Sequence, residues 1–169
     1  LLLAAIIVSA PLPPPPAPIP YKTSVSTPVI RAKSAMVLDM GGGQILYAKN
    51  IFTSLPVASL TKLMTALVAR DYYDLDRLLP APADIGDTIG SRLELSAGER
   101  LTVRDLLQAL LIRSANDAAV VLASNYGGGT AAFVKKMNER AKQMGLLGTY
   151  FSNPIGLDHS DASSKDDII

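Results

Sequence analysis

The sequence predicts a mixed α/β (α+β) fold in which an antiparallel sheet accompanies a helical subdomain. Three observations carry that expectation. Two short apolar-rich runs, SAMVLD and QILYAK, are joined through three consecutive glycines, the pattern of a β-hairpin. From residue 59 onward, apolar residues recur largely at helical spacing. Finally, 49% of the 169 residues are hydrophobic, enough for one domain with a sizeable core.

The chain opens with LLLAAIIVSA, an apolar run shorter than the roughly 18 to 20 residues that span a bilayer. Its length and character are those of a signal-peptide h-region, with Val8-Ser9-Ala10 as a small-residue exit. There is no starting Met or basic n-region, and Pro11 disfavours cleavage after Ala10; an export signal is preferred to an uncleaved anchor. Residues 11–20 hold seven of the twelve prolines and form a stiff, extended linker. Residues 21–33 continue it, and folded structure is expected from Ser34.

The hairpin covers 34–39 and 44–49, turning at Met40-Gly41-Gly42-Gly43. These glycines are no phosphate loop, because no Gly-Lys-Ser/Thr ending follows and no helix opens there. A first helix is expected over 59–70, then a mixed stretch over 71–100 interrupted by Pro80 and Pro82. Thr102 and Asp105 form an acidic variant of the capping box for a helix to about residue 112. A short helix over 116–124 stops at the glycines 127–129. Thr130 is expected to cap a helix to about 144, with Phe133, Met137, Ala141 and Met144 on one face and Gly145 past its end. Ser164 with Asp166 and Asp167 reads as a further N-cap and acidic first turn just before the final Ile168-Ile169. A sheet of two strands is too small to shield several helices, so residues 34–169 are expected to be the N-terminal portion of a larger domain.

Composition closes off several chemistries. Sixteen basic and fifteen acidic residues give a formal net charge of +1, with no clustered basic patch of the kind that binds nucleic acid. Without cysteine there is no thiol nucleophile, disulfide or thiolate metal site, and one histidine cannot supply a multi-histidine zinc site. No metal or organic cofactor is implied.

The segment VASLTKLMTALV contains one charge, Lys62, the only one between Asn50 and Arg70. On a helical wheel Leu60, Leu63, Met64, Leu67 and Val68 cover one broad side, while Ala66 and Ala69 flank Lys62 on the other. A helix apolar nearly all round is buried, which places Lys62 in a partly dry cleft. Burial lowers a lysine pKa from its reference of about 10.4, as a general base near neutral pH requires. Ser59, three residues earlier, shares its face and could be a nucleophile activated by that amine. The adjacent helix N-terminus could stabilise an oxyanion. Yet S-x-x-K arises by chance roughly once in a few hundred positions. Alone, the match leaves Ser59 as cap and Ser59 as nucleophile equally open. Arg113-Ser114-Ala115-Asn116-Asp117 lies in the break between two apolar helices, where a second serine and an amide could relay a proton and clamp a peptide. Taken by itself that segment reads more simply as an interhelical turn with a cap.

Together, ASLTKLMTALVA, GERLTVRDLLQALLIRSANDAA and FSNPIGLDH, with LDMGGGQILYAKN ahead of them, resemble the serine D-alanyl-D-alanine carboxypeptidases, the low-molecular-mass penicillin-binding proteins. The resemblance runs from about Ala32 to the end and implies a β-lactamase/transpeptidase-like fold. It implies that Ser59 attacks the carbonyl between two terminal D-alanines of a peptidoglycan stem peptide, with Lys62 as base. Ser114 would relay a proton to the leaving D-alanine, and Asn116 would hydrogen-bond the substrate amide and help orient Lys62. β-Lactam antibiotics would be trapped on Ser59 as covalent inhibitors. The resemblance further implies an exported protein and leaves membrane association open.

Two departures from the family pattern stand out. The middle motif reads Ser-Ala-Asn where many members have Ser-Gly-Asn, and no Lys-Thr-Gly occurs in these residues. That third motif would lie on a later strand, bind the substrate carboxylate and border an oxyanion-hole N–H. A DD-endopeptidase would use the same residues. A β-lactamase would need a deacylating glutamate that no motif places. A catalytically inactive, cell-wall-binding remnant is the rival from another class. His159 beside Asp158 and Asp161 could be read as part of a Ser-His-Asp triad, but a solvent-facing or structural role is the plainer account.

Overall fold

The computed structural model describes residues 29–157. The signal-like run, the proline-rich segment, most of the 21–33 linker, His159 with its neighbouring aspartates and the helix expected after Ser164 lie outside the described residues. The chain divides into two compact units, Leu1–Ile51 and Phe52–Ile169.

In the first unit the expected hairpin forms from β1 (Ala35–Leu38) and β2 (Ile45–Lys49), paired antiparallel with a register irregularity between Val37 and Leu38. Its turn is organised by Asp39, whose carboxylate accepts from the N–H groups of Gly41 (3.1 Å) and Gly42 (2.9 Å). Gly43 adopts φ +68°, a conformation open to glycine at no steric cost.

The second unit begins with a 3-10 turn, Ala58–Leu60, followed by α1 (Thr61–Tyr72) and β3 (Leu78–Pro80). Then come β4 (Arg100–Thr102), α2 (Val103–Ile112), α3 (Asn116–Ser124) and α4 (Gly129–Gln143). Helix α3 is the hub, packed against the other three helices. Ala118, Ala119, Val121, Leu122 and Ala123 are all fully buried within it. The small side chains of Ala118, Ala119 and Ala123 let the neighbouring helices approach closely, and Leu106, Leu110, Phe133 and Met137 close the core around it.

The caps explain where several elements begin and end. Thr102 caps α2 as expected: its hydroxyl accepts from the Asp105 N–H at 3.1 Å and donates to the Asp105 carboxylate at 2.6 Å. Helix α4 ends at Gly145 (φ +76°), where the Gly145 and Leu146 N–H groups return to the carbonyls of Lys142 and Ala141 in a Schellman arrangement.

Four sequence expectations are corrected. Strands β3 and β4 pair antiparallel, Leu79 opposite Leu101, within and beside the stretch expected to be irregular. Three-residue strands carry too little alternation to be seen, and Pro80 is tolerated because it ends its strand. Helix α1 starts at Thr61, with Leu60 at the N-cap and no side-chain cap, so Ser59 sits in the 3-10 turn and does not cap the helix. Gly128, at φ +93°, takes the N-cap of α4 in place of Thr130, because only the glycine suits that backbone conformation. Met144 follows α4 as its C-cap and is exposed, unlike Phe133, Met137 and Ala141.

Candidate active site

The buried side of α1 is not the leucine side. Leu60, Leu63 and Leu67 are exposed, whereas Thr61, Lys62, Met64, Thr65, Ala66, Val68 and Ala69 are buried. The expectation that Lys62 is enclosed holds, but the helix is turned so that its lysine and threonine side faces inward. Lys62 is 2% exposed, and its Nζ lies 3.1 Å from Ser59 Oγ. Desolvation of the buried amine lowers its pKa. Ser59 itself is exposed, so a hydroxyl open to solvent stands directly against an amine shielded from water.

The left-handed backbone of Ala58 (φ +45°) immediately precedes Ser59. Such a conformation is unfavourable for a residue with a Cβ and persists where surrounding contacts impose it. Here the imposing element is the loop 151–157. Gly156 (φ +75°) lies so close that a Cβ there would overlap the Ala58 carbonyl oxygen and come within 2.6 Å of Thr61 Oγ1.

Ser114 and Asn116 occupy the junction between α2 and α3. Ser114 also holds a left-handed conformation, φ +56°, and is half-buried. Asn116 is buried and begins α3. Its backbone N–H donates to the Ser91 carbonyl at 2.7 Å and its side-chain Nδ2 to the Ile89 carbonyl at 2.6 Å. The Ser91 hydroxyl returns to the Arg113 carbonyl at 2.8 Å. Gly90 permits this approach, since a Cβ there would stand 2.7 Å from Asn116 Nδ2. The amide of Asn116 is therefore held in one orientation by the 89–91 backbone.

The structure thus joins Ser59 to Lys62 and sets Ser114 beside Asn116, while no hydrogen bond links the two pairs among the described residues. It adds residues to which the sequence reading gave no role. Lys62 Nζ also donates to the Ile155 carbonyl at 3.1 Å, and Thr65 Oγ1 donates to the Pro154 carbonyl at 2.7 Å. Asn153 Oδ1 accepts from the N–H groups of Ile155 (3.0 Å) and Gly156 (2.7 Å). Asp117, 1% exposed, accepts from the N–H groups of Leu93 (2.8 Å) and Leu95 (3.3 Å). The sequence signal for the first group was Asn-Pro-x-Gly, which is turn chemistry. For Asp117 it was a carboxylate opening an otherwise apolar helix.

The sequence model of the D-alanyl-D-alanine carboxypeptidase family matches residues 21–168. The chain belongs to this family. It is 38% identical over 158 residues to a D-alanyl-D-alanine endopeptidase of Pseudomonas aeruginosa, covering 92% of this chain and 49% of the relative. It is 39% identical over 134 residues to the D-alanyl-D-alanine carboxypeptidase DacF of Bacillus subtilis, covering 75% of this chain and 34% of the relative. Among solved structures, the D-alanyl-D-alanine carboxypeptidase of Mycobacterium tuberculosis H37Rv superposes with a TM-score of 0.77 at 33% identity, over 87% of this chain and 54% of that one. The mixed α/β fold with antiparallel sheets and a helical subdomain is that of these carboxypeptidases. The chain spans about half or less of the length of the two curated relatives.

Proposed function

We propose that the protein carrying this chain is a serine-type D-alanyl-D-alanine carboxypeptidase that shortens peptidoglycan stem peptides through an acyl-enzyme. The observation that carries the reading is the exposed Ser59 hydroxyl 3.1 Å from the buried Lys62 amine of lowered pKa. In the first step the neutral Lys62 amine takes the Ser59 proton while Oγ bonds to the carbonyl carbon between the terminal D-alanines. The C–N bond then breaks, and the proton reaches the leaving D-alanine amine with Ser114 as relay. Asn116, fixed by the Ile89 carbonyl, is assigned to the substrate amide. Water hydrolyses the ester and returns the proton. Residues 34–169 are assigned to the N-terminal portion of the catalytic domain, behind a signal-like segment and linker, and the protein to an extracytoplasmic location.

A β-lactam carries a strained amide in place of the D-alanyl peptide bond and is expected to acylate Ser59. The test is labelling of the full-length protein by a fluorescent penicillin, together with release of D-alanine from a stem peptide. Both should vanish in Ser59→Ala; a full-length protein that takes no label and releases no D-alanine overturns the reading. DD-endopeptidase activity is the second reading, favoured by the similarity to the P. aeruginosa endopeptidase. Cleavage of cross-linked dimers in preference to free stem peptides would select it.

A further inference from the structure

Burial alone does not make Lys62 a base. A neutral amine has two N–H bonds and one lone pair, and only the lone pair accepts a proton. An amine turned the wrong way would offer Ser59 an N–H, and the pair would be idle. The Ile155 carbonyl, 3.1 Å from Nζ, narrows that freedom by engaging one N–H, which leaves the lone pair and a single N–H for the remaining directions, Ser59 among them.

That carbonyl belongs to a loop 93 residues further along the chain, so its position depends on how the loop is held. Three fastenings hold it. At its start, the Asn138 side chain of α4 donates to the Phe151 carbonyl at 2.8 Å and accepts from the Phe151 N–H at 2.9 Å. Inside it, Asn153 Oδ1 gathers the N–H groups of Ile155 and Gly156 while Nδ2 donates to the Leu157 carbonyl at 2.9 Å. The Gly156 N–H belongs to the same trans peptide as the Ile155 carbonyl, so holding that N–H toward Asn153 turns the carbonyl the opposite way. At α1, the hydroxyl of Thr65 donates to the Pro154 carbonyl at 2.7 Å. Thr65 is fully buried and stands three residues after Lys62, on the same helix face. Lysine and threonine therefore grip adjacent peptides of one turn.

We infer that Thr65 and Asn153 are positioning residues for Lys62, holding the Ile155 carbonyl against Nζ so that the lone pair of the neutral amine is presented to Ser59. This rests on the peptidase reading of the Ser59–Lys62 pair. A threonine and an asparagine that merely stabilised the loop would affect folding without a selective effect on the chemical step.

The experiment measures acylation of the full-length protein by a fluorescent penicillin over a range of concentrations. It separates the dissociation constant of the encounter complex from the first-order acylation constant. Thr65→Val removes the hydroxyl at nearly constant volume, and Thr65→Ser restores it. Thr65→Val is expected to slow acylation about ten- to a hundredfold with the dissociation constant changed less than about twofold, and Thr65→Ser to recover most of the rate. Asn153→Asp, which keeps the acceptor for both N–H groups, should likewise acylate faster than Asn153→Ala, and this pair decides the matter if Thr65→Val does not fold. Folded Thr65→Val and Asn153→Ala proteins acylating at the wild-type rate overturn the inference alone, as do Ser and Asp variants no better than Val and Ala. A wild-type protein that is not acylated overturns the peptidase reading, and this inference with it.

Discussion

Lys62 is placed where an ammonium is costly and an amine is useful. Burial penalises the charged form, so its pKa falls, and the neutral fraction at any given pH rises. With Lys62 as the proposed base, acylation of Ser59 should rise with pH, with a midpoint below the ~10.4 of a free lysine and a plateau above that midpoint. A pH profile of penicillin acylation checks this; a midpoint at or above the free value would place the lysine in water. Lys62→Arg keeps a positive charge and hydrogen-bond donors but has no lone pair at accessible pH. Labelling is expected to fall about a hundred- to ten-thousandfold in that variant, and a variant labelling at the wild-type rate would show that the charge, not the base, is what Ser59 needs. The exposed Ser59 beside this amine was legible as S-x-x-K, and the burial of Lys62 was legible from the charge-poor stretch around it. Which side of α1 faces the interior was not. Leu60, Leu63 and Leu67 outrank two threonines on any hydropathy scale, yet the threonines are buried, because Thr65 finds a carbonyl partner in a loop far along the chain.

At the level of elements, helix starts written in side-chain chemistry could be read, and those written in backbone geometry could not. Thr102 with Asp105 announced α2, whereas Gly128 displaced Thr130 at α4 through a positive φ that composition does not specify. Strands β3 and β4 escaped notice because each is three residues long and is defined by its partner. The same limitation hid what Asp117 does. At the first turn of α3 it looks like an ordinary acidic residue favoured by the helix dipole. In the structure it is buried and ties the 93–95 backbone to the helix that begins with Asn116. Asp117→Ala should leave the N–H groups of Leu93, Leu95 and Ala118 without their carboxylate acceptor and lower stability by about 1–3 kcal/mol. Urea unfolding measures the loss, and hydrogen exchange should localise it as faster exchange at Leu93 and Leu95. Unchanged protection at those two amides would remove Asp117 from its role as the fastening of this loop.

Across the second unit, the candidate site is assembled from segments that only the complete packing brings together. The 3-10 turn with Ser59, the lysine and threonine of α1, and the Asn153 turn form one contact although some 93 positions separate Lys62 from Ile155. A sequence motif can name each segment, but the meeting of Nζ with a backbone carbonyl has no residue-type signature, since every residue carries a carbonyl. Gly156 is where this meeting is most confined. It combines φ +75° with the overlap that a Cβ would make with the Ala58 carbonyl, so its replacement strains the loop and pushes on the turn holding Ser59 at once. Gly156→Ala should cost about 1–3 kcal/mol from backbone conformation alone, with more from the overlap. Among molecules that remain folded, penicillin acylation should also fall. Ser59→Ala, at an exposed position, should abolish acylation while leaving the unfolding midpoint near that of the wild type. The contrast separates the proposed role of Ser59 in the chemistry from that of a residue holding its turn in place. A Gly156→Ala protein with wild-type stability and acylation would mean that the 151–157 loop is free to withdraw from the Ser59 turn without consequence.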